Sequence, residues 1–402
     1  MRKALLAVLA LLLIAAAAFF IFAPAYVERG ANVVDGKPLP EISQEARDLH
    51  ATLTIVDLHS DTLLWNRDML DRSDYGHMDL PRLQDGNVAL QIFSSVTKSP
   101  QNQNYDSNPS DTDQLTALVV GQLQPLRTWN SLLERTLYHA EKLDRAVAQS
   151  PAGLIKVEAA SDLARLLELR GAAQDKPVGA IFSAEGLHSL EGDIASLQRV
   201  YDAGMRMAGI THFFDNELAG SMHGEAKGGL TDFGRDVIRQ MEEMGMIVDI
   251  AHCSRQCVTE ILALARRPVV SSHGGVQATC AVNRNLSDEH IRGVAATGGI
   301  IGIGYWEGAV CDTSPRAIAR AMKHVRDLVG VEQVALGSDY DGSVTVRFDT
   351  AGLVHVTQAL LDEGFTEDEI RAVMGGNAIR VIREGLVPLA DLPVPAEEGA
   401  PG

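Results

Sequence analysis

The chain has 402 residues, 46% of them hydrophobic and 22% charged, with 35 Lys and Arg against 53 Asp and Glu for a formal net charge of −18. Those proportions exclude a collagen-like, low-complexity or largely disordered polymer, and the length allows one large domain or two ordinary ones. The acidic balance and the lack of any Lys/Arg run leave no footprint for nucleic acid, and four cysteines without a C-x-x-C pair make neither a disulfide scaffold nor a cysteine zinc knuckle.

Residues 1–26 open the chain as an N-terminal membrane anchor or signal segment. Arg2 and Lys3 precede an uncharged apolar run, Ala4 to Ala25, and roughly 20 such residues span a bilayer as a helix. Positive charge ahead of the run places the rest of the chain outside the cytoplasm. The expectation is an inner-membrane anchor with the main domain in the periplasm or at the cell exterior. The alternative is secretion to the periplasm after cleavage at the small-x-small triplet Ala23-Pro24-Ala25; the run is longer than the usual signal core, which favours the anchor. No cysteine follows the run, so a bacterial lipoprotein is excluded. Export permits disulfides among Cys253, Cys257, Cys280 and Cys311, with the pairing left open. Residues 27–50 form a polar lead-in, 51–387 read as one domain, and 388–402 read as a disordered Pro-rich tail.

Within the domain, short apolar, β-branched runs recur at Leu53–Leu58, Val88–Ser94, Val178–Ser183, Met207–Thr211, Ile247–Ala251, Val269–Ser272, Ile300–Gly304 and Val334–Gly337. Most are continuously apolar rather than alternating, as strands buried on both faces are. Helix-like stretches separate most of them: Asp193–Ala203, Thr231–Met244, Arg255–Ala265, Asp288–Thr297 and Ser314–Val329. Eight alternating strand–helix units predict an α/β fold, a (β/α)8 TIM-type barrel with its site at the C-terminal strand ends. A doubly wound open sheet is the rival, and no G-x-G-x-x-G follows an early strand to support it.

The strand ends carry the chemistry. The first run ends V-D-L-H-S-D, giving His59 and Asp61, which point the same way on an extended chain. The third ends at Glu185, the fourth at His212, the fifth at His252, the sixth at His273 and the eighth at Asp339 and Asp341. Imidazole and carboxylate without thiolate suit Zn²⁺ in a catalytic site. This set exceeds what one tetrahedral ion needs and fits two ions sharing a carboxylate, which points to hydrolysis. Each residue also has a plainer role open to it: Glu185 could cap a helix, and Asp341 reads as a turn-stabilising residue beside a functional Asp339. His77, His188, His223, His290, His324 and His355 read as surface or packing residues, with His223 in G-S-M-H-G-E the one placed to reach a substrate. Cys253 points away from its neighbour His252. Arg284, in C-A-V-N-R-N, reads equally as a surface ion pair or as a clamp on a substrate carboxylate.

These residues stand in motifs that resemble the membrane dipeptidase (renal dipeptidase) family of zinc peptidases, within the amidohydrolase-like barrels. The motifs are V-D-L-H-S-D, A-E-G, I-T-H-F-F-D-N, D-I-A-H-C-S, P-V-V-S-S-H, N-R-N-L-S-D, G-S-D-Y-D-G and G-G-N-A-I-R-V, in family order over nearly all of 52–386. The resemblance implies two Zn²⁺ per chain. His59 and Asp61 would bind the first, His252 and His273 the second, and Glu185 would bridge them. His212 would contact substrate and support the oxyanion, and Arg284 would bind the free carboxylate of a dipeptide. Asp339 would meet its amino group and carry the proton from water to the leaving amine, and Tyr305 would line the pocket. A metal-bridging hydroxide would attack the scissile carbonyl. The family implies dipeptide substrates, often with a D-residue at the C-terminal position, β-lactam opening in some members, and a homodimer. Its mammalian C-terminal lipid anchor is not expected on this polar tail. The segment 97–153, between the second and third runs, carries no motif and is expected to cover the mouth of the barrel. Two other readings stay open: a metal-dependent hydrolase of another small amide, β-lactam or lactone, and a non-catalytic metal-binding protein on the same scaffold.

Overall fold

A computed structural model describes residues 1–172 and 176–389. All eight predicted runs are strands: β1 (Ile55–Ser60), β2 (Val88–Ser95), β3 (Val178–Ala184), β4 (Met205–Gly209), β5 (Ile247–Asp249), β6 (Val270–Ser271), β7 (Ile300–Ile303) and β8 (Val334–Leu336). Every residue in them is buried, which is why the runs read as unbroken apolar stretches. All pairings are parallel. They run in order from β1 through β8, and β8 returns to β1 through Leu336 and Asp57. The barrel is therefore closed, with helices between the strands.

The helices begin where their caps dictate. Thr231, Ser254, Ser287 and Ser314 each accept a hydrogen bond from a backbone N–H one turn into the helix that follows, the contact that satisfies an orphan donor. The helix Asp232–Met244 stops at Gly245, which takes φ +75°, a left-handed turn open to glycine. Two elements lie outside the predicted set. A short strand Leu154–Lys156 runs beside β3, and Val33–Val34 pairs in parallel with Thr345–Val346.

The segment 97–153 divides in two. Its helix Leu132–Gln149 is capped by Ser131 and packs on the barrel, while Ser99, Gln103, Tyr105, Gln114 and Leu115 reach the mouth. The covering role expected of the whole segment belongs to residues 99–115. Cys280 and Cys311 form a disulfide that closes a loop of sequence separation 31, while Cys253 and Cys257 are free and buried. Arg2–Ala31 is one helix with a mean hydropathy of 3.1 in its most apolar window, none of which is buried; it is long and apolar enough to cross a membrane. Most of the tail expected to be disordered, from residue 390 on, lies outside the described residues.

Candidate active site

The C-terminal ends of the strands converge on one buried cluster. His59 lies on β1 and Asp61 just beyond it, Glu185 directly follows β3, and His212, His252 and His273 stand two or three residues past β4, β5 and β6. Glu185 is the hub. Its Oε1 lies 2.7 Å from His252 Nε2, 3.1 Å from His273 Nε2 and 3.7 Å from His59 Nε2, and its Oε2 lies 3.2 Å from His212 Nε2. His59 Nε2 is 3.4 Å from Asp61 Oδ1 and 3.8 Å from Asp339 Oδ1. Three overlapping groups could each hold a metal ion: His59, Asp61 and Glu185; Glu185, His212 and His252; His59, His273 and Asp339. Glu185 stands in two of them, as a bridging carboxylate would.

Local backbone sets these positions. Gly186 takes φ +92°, and a Cβ there would sit 2.5 Å from His188 Nδ1 and 3.1 Å from His212 Cβ, so glycine lets β3 turn away just after its carboxylate. His252 and Asp339 adopt φ +64° and +61°. Left-handed backbone costs a non-glycine residue about 1–2 kcal/mol, and it persists where the surroundings hold it.

A buried layer beneath the cluster orients it. Asp249 Oδ2 accepts from Ser272 Oγ at 2.5 Å, so that Oγ accepts from His273 Nδ1 at 2.8 Å and the His273 Nε2 lone pair faces the cluster. Asp57 Oδ1 accepts from the backbone N–H groups of His59 and Ser338, joining β1 to the loop after β8. Neither Asp57 nor Asp249 stood among the expected site residues, although a carboxylate in a doubly buried strand needs polar partners and so marks itself in sequence.

The electrostatics are those of crowded, buried carboxylates. Burial, with the charges of Asp61 and Glu185, drives the Asp339 carboxyl well above its usual range. Burial and the Glu185 charge raise Asp61 to about 6. Burial opposes a charge on His59, but Asp61 and Glu185 outweigh it and hold the imidazole at about 10. His59 Nε2 and Asp61 Oδ1 are buried without a hydrogen-bond partner. Unpartnered donors among mutually repelling carboxylates fit divalent cations: such ions would satisfy the orphaned atoms and offset the repulsion.

A cavity of about 140 Å³ opens on this cluster, and Asp61, Glu185, His212, His252, Arg284 and Asp339 all line it. Arg284 is buried; its Nη2 donates to the His273 carbonyl at 2.8 Å, and its guanidinium lies 5.6 Å from the Trp306 ring centre. That places a fixed cation on the cavity wall. His212 Nδ1 lies 3.3 Å from the Lys98 carbonyl. Asp341, read as structural, accepts from Thr62 Oγ1 at 2.7 Å and from the His77 N–H at 2.6 Å.

Tyr305, expected to line the pocket, is absent from the cavity wall. It is fully buried, with its ring 5.6 Å from those of Tyr340 and Phe348. Successive residues beyond β7 face opposite sides, so Trp306 takes the wall position instead. Trp306 Nε1 donates to Tyr105 Oη at 3.0 Å, which ties the covering loop to the far wall. His223, the histidine placed to reach substrate, is fully buried and off the cavity wall. It stacks on Phe213 with ring centres 4.5 Å apart and shares a 2.8 Å contact from Nδ1 to the Tyr105 carbonyl. Of the other histidines read as surface or packing residues, His77, His188 and His290 are likewise buried, as packing residues are.

A closed parallel barrel with imidazoles and carboxylates gathered at its C-terminal rim defines a barrel metallohydrolase. Comparison with known proteins narrows the class. The family model of membrane dipeptidases, peptidase family M19, matches residues 43–387. Dipeptidase aclJ of Aspergillus oryzae is 27% identical over 352 residues, which cover 82% of this chain and 77% of that protein. Among solved structures, the probable dipeptidase PvdM of Pseudomonas aeruginosa superposes with a TM-score of 0.70 at 18% identity, covering 85% of this chain and 98% of that one. A Rhodobacter sphaeroides metallopeptidase, solved with a phosphinate mimic of the dipeptide L-Ala-D-Ala, superposes at 0.65 with 21% identity over 83% of this chain and 99% of that one. The chain belongs to the membrane dipeptidase family and is a metallodipeptidase.

Proposed function

We propose that this enzyme hydrolyses the single peptide bond of free dipeptides, tolerating a D-residue at the C-terminal position, with two zinc ions per chain. The observation that carries the reading is the pairing of charges in a small cavity: buried Arg284 and buried Asp339 both face the space beside Glu185. A molecule with a free carboxylate and a free amine, and little else, suits two such clamps. The phosphinate of L-Ala-D-Ala held by the Rhodobacter sphaeroides relative supports the same substrate class.

His59 and Asp61 would hold one ion, His252 and His273 the other, with Glu185 between them. When bound, the ions supply Lewis acidity, bringing the pKa of water toward neutrality and polarising the scissile carbonyl. The chain's own residues do the rest. Arg284 pairs with the terminal carboxylate and fixes the register of the peptide bond. Asp339 accepts the proton of the attacking water and returns it to the leaving nitrogen as the C–N bond breaks. Burial disfavours a charge on His212, whose Nε2 would act as a neutral N–H donor in the cavity, where negative charge grows on the carbonyl oxygen. The covering residues around Tyr105 exclude bulk water. The apolar helix Arg2–Ala31 anchors the enzyme in the inner membrane with its barrel outside the cytoplasm.

The deciding experiment is metal content by elemental analysis together with Gly-D-Ala hydrolysis on the same sample, purified without chelator. Two zinc ions and turnover are expected. Removal of metal should abolish turnover and zinc addition should restore it; a chelated sample that still cleaves would overturn the metal role. Arg284→Ala should raise KM for Gly-D-Ala about 10- to 100-fold, the worth of a charge-assisted contact of about 1.5–3 kcal/mol, while kcat changes less. An unchanged KM would move the reading to a substrate without a free carboxylate.

A further inference from the structure

The loop after β8 carries Asp339 and the wall residues Gly342, Ser343 and Val344. Three of its non-glycine residues take left-handed backbone: Asp339, Asp341 and Ser343, at φ +61°, +62° and +59°. A loop with that much unfavourable backbone does not hold its form alone and needs ties to its surroundings. One tie is internal to the barrel, where Asp61 N–H donates to the Tyr340 carbonyl at 2.9 Å. Thr62, Trp65 and His77 add hydrogen bonds to Asp341 alone, and the ties to the rest of the loop come from residues 28–35, the end of the apolar helix and the chain that leaves it.

Glu28 is buried and accepts from Arg67 Nε at 2.5 Å, and the same guanidinium pairs with the Asp341 carboxylate. Asn32 is buried and its Oδ1 accepts from the Ser343 N–H at 2.9 Å. Val33 N–H donates to the Val344 carbonyl at 3.2 Å, and Asp35 N–H donates to the Val346 carbonyl at 2.8 Å. Beyond the strand pair, Asp35 Oδ2 accepts from Arg347 Nε at 3.0 Å and from Thr313 Oγ1 at 2.6 Å. On the other side, Arg29 pairs with Asp74 at 2.7 Å, and Ala31 packs against Leu64, Trp65, Val96 and Leu115, three of which line the cavity. A passive tether needs none of this; a polar lead-in of any sequence would serve.

We infer that residues 28–35 are a working part of the active site: a stem that holds the 339–346 loop in its left-handed form and so positions Asp339, with Glu28, Asn32 and Arg67 as positioning residues. The membrane attachment and the catalytic loop are then one rigid unit, and the mouth of the barrel lies beside the point where the apolar helix meets the domain. Cleavage at Ala23-Pro24-Ala25 would leave the stem in place, so the inference does not depend on whether the helix is retained. Its kinetic consequence rests on the role proposed above for Asp339; its structural consequence does not.

The test uses the full-length chain in detergent, with Glu28→Ala, Glu28→Gln and Asn32→Ala variants. Backbone hydrogen exchange across 339–346 is read beside kcat, KM, metal content and melting temperature. Glu28→Ala should speed exchange of that loop about tenfold or more while leaving the remote helix Pro315–Val329 unchanged. Its kcat on Gly-D-Ala should fall about 5- to 20-fold with KM within about threefold, less than the roughly 10- to 100-fold of a lost charge-assisted contact to substrate, because Glu28 acts on Asp339 only through the loop. Glu28→Gln keeps an acceptor oxygen for Arg67 and should stay within about twofold of the unaltered enzyme. Asn32→Ala removes one acceptor from the Ser343 N–H and should show the same pattern more weakly; it decides the matter should Glu28→Ala fail to fold. Loop exchange and kcat unchanged in both alanine variants would overturn the inference. An unaltered chain that does not cleave dipeptides would instead strike at the proposed reaction, and loop exchange alone would then decide the role of the stem.

Discussion

Glu185→Gln should empty the metal site. The substitution keeps the shape of the side chain and removes one charge, so the barrel is expected to fold with unchanged circular dichroism. What it loses is the side chain that, alone among the described residues, approaches His59, His212, His252 and His273 together, at 2.7 to 3.7 Å. A carboxylate can present a lone pair to each of two cations, whereas an amide offers one oxygen and turns N–H donors toward the other ion. Metal content should fall below about a tenth of the unaltered enzyme, and kcat/KM should drop about 10³-fold or more, beyond the 10- to 100-fold that losing an outer partner of a ligand costs. Retention of two metal equivalents would show that Glu185 bridges nothing.

Asp339→Asn should do the opposite: keep the metal and lose the chemistry. Asparagine is among the few residues that tolerate φ near +60°, so the backbone at Asp339 is expected to stay in place. The amide cannot carry a proton from water to the leaving nitrogen. A drop in kcat of about 10²- to 10⁴-fold follows from losing a general acid–base group. Two outcomes would revise the assignment. Full kcat would make Asp339 a loop residue, and loss of metal would make it a ligand, a role open to it through its grouping with His59 and His273.

The barrel and most of the cluster were legible in the chain for one physical reason. Strands buried on both faces leave unbroken apolar runs, and such runs end where polar side chains begin. His59, Asp61, Glu185, His252 and His273 all stand at those ends. The pocket wall was harder to read, because beyond a strand the facing of side chains depends on loop geometry. Gly304 N–H donates to the Gly274 carbonyl at 2.7 Å, and the turn that follows sends Tyr305 into the core and Trp306 into the cavity. Tyr105 lies in a loop with no periodicity, so nothing local marked it. The Cys280–Cys311 pairing became visible only with the fold, since any two of the four cysteines were equally admissible by spacing. Asp57 and Asp249 were legible and passed over: each is a carboxylate a few residues ahead of a proposed ligand histidine, inside a strand with no room for solvent.

The five proposed ligands stand at the ends of four strands, spread from position 59 to position 273, and Asp339 extends the set to the last strand of the barrel. No contiguous fragment of the chain contains the site. A nascent polypeptide therefore lacks the assembled set of donors until the barrel has closed, and the free energy of metal binding becomes a reward given to the finished topology alone. Metal retention is in this sense a proofreading signal for folding: a barrel that has slipped by one strand or lost one to a protease forfeits its ions, and with them its resistance to further unfolding.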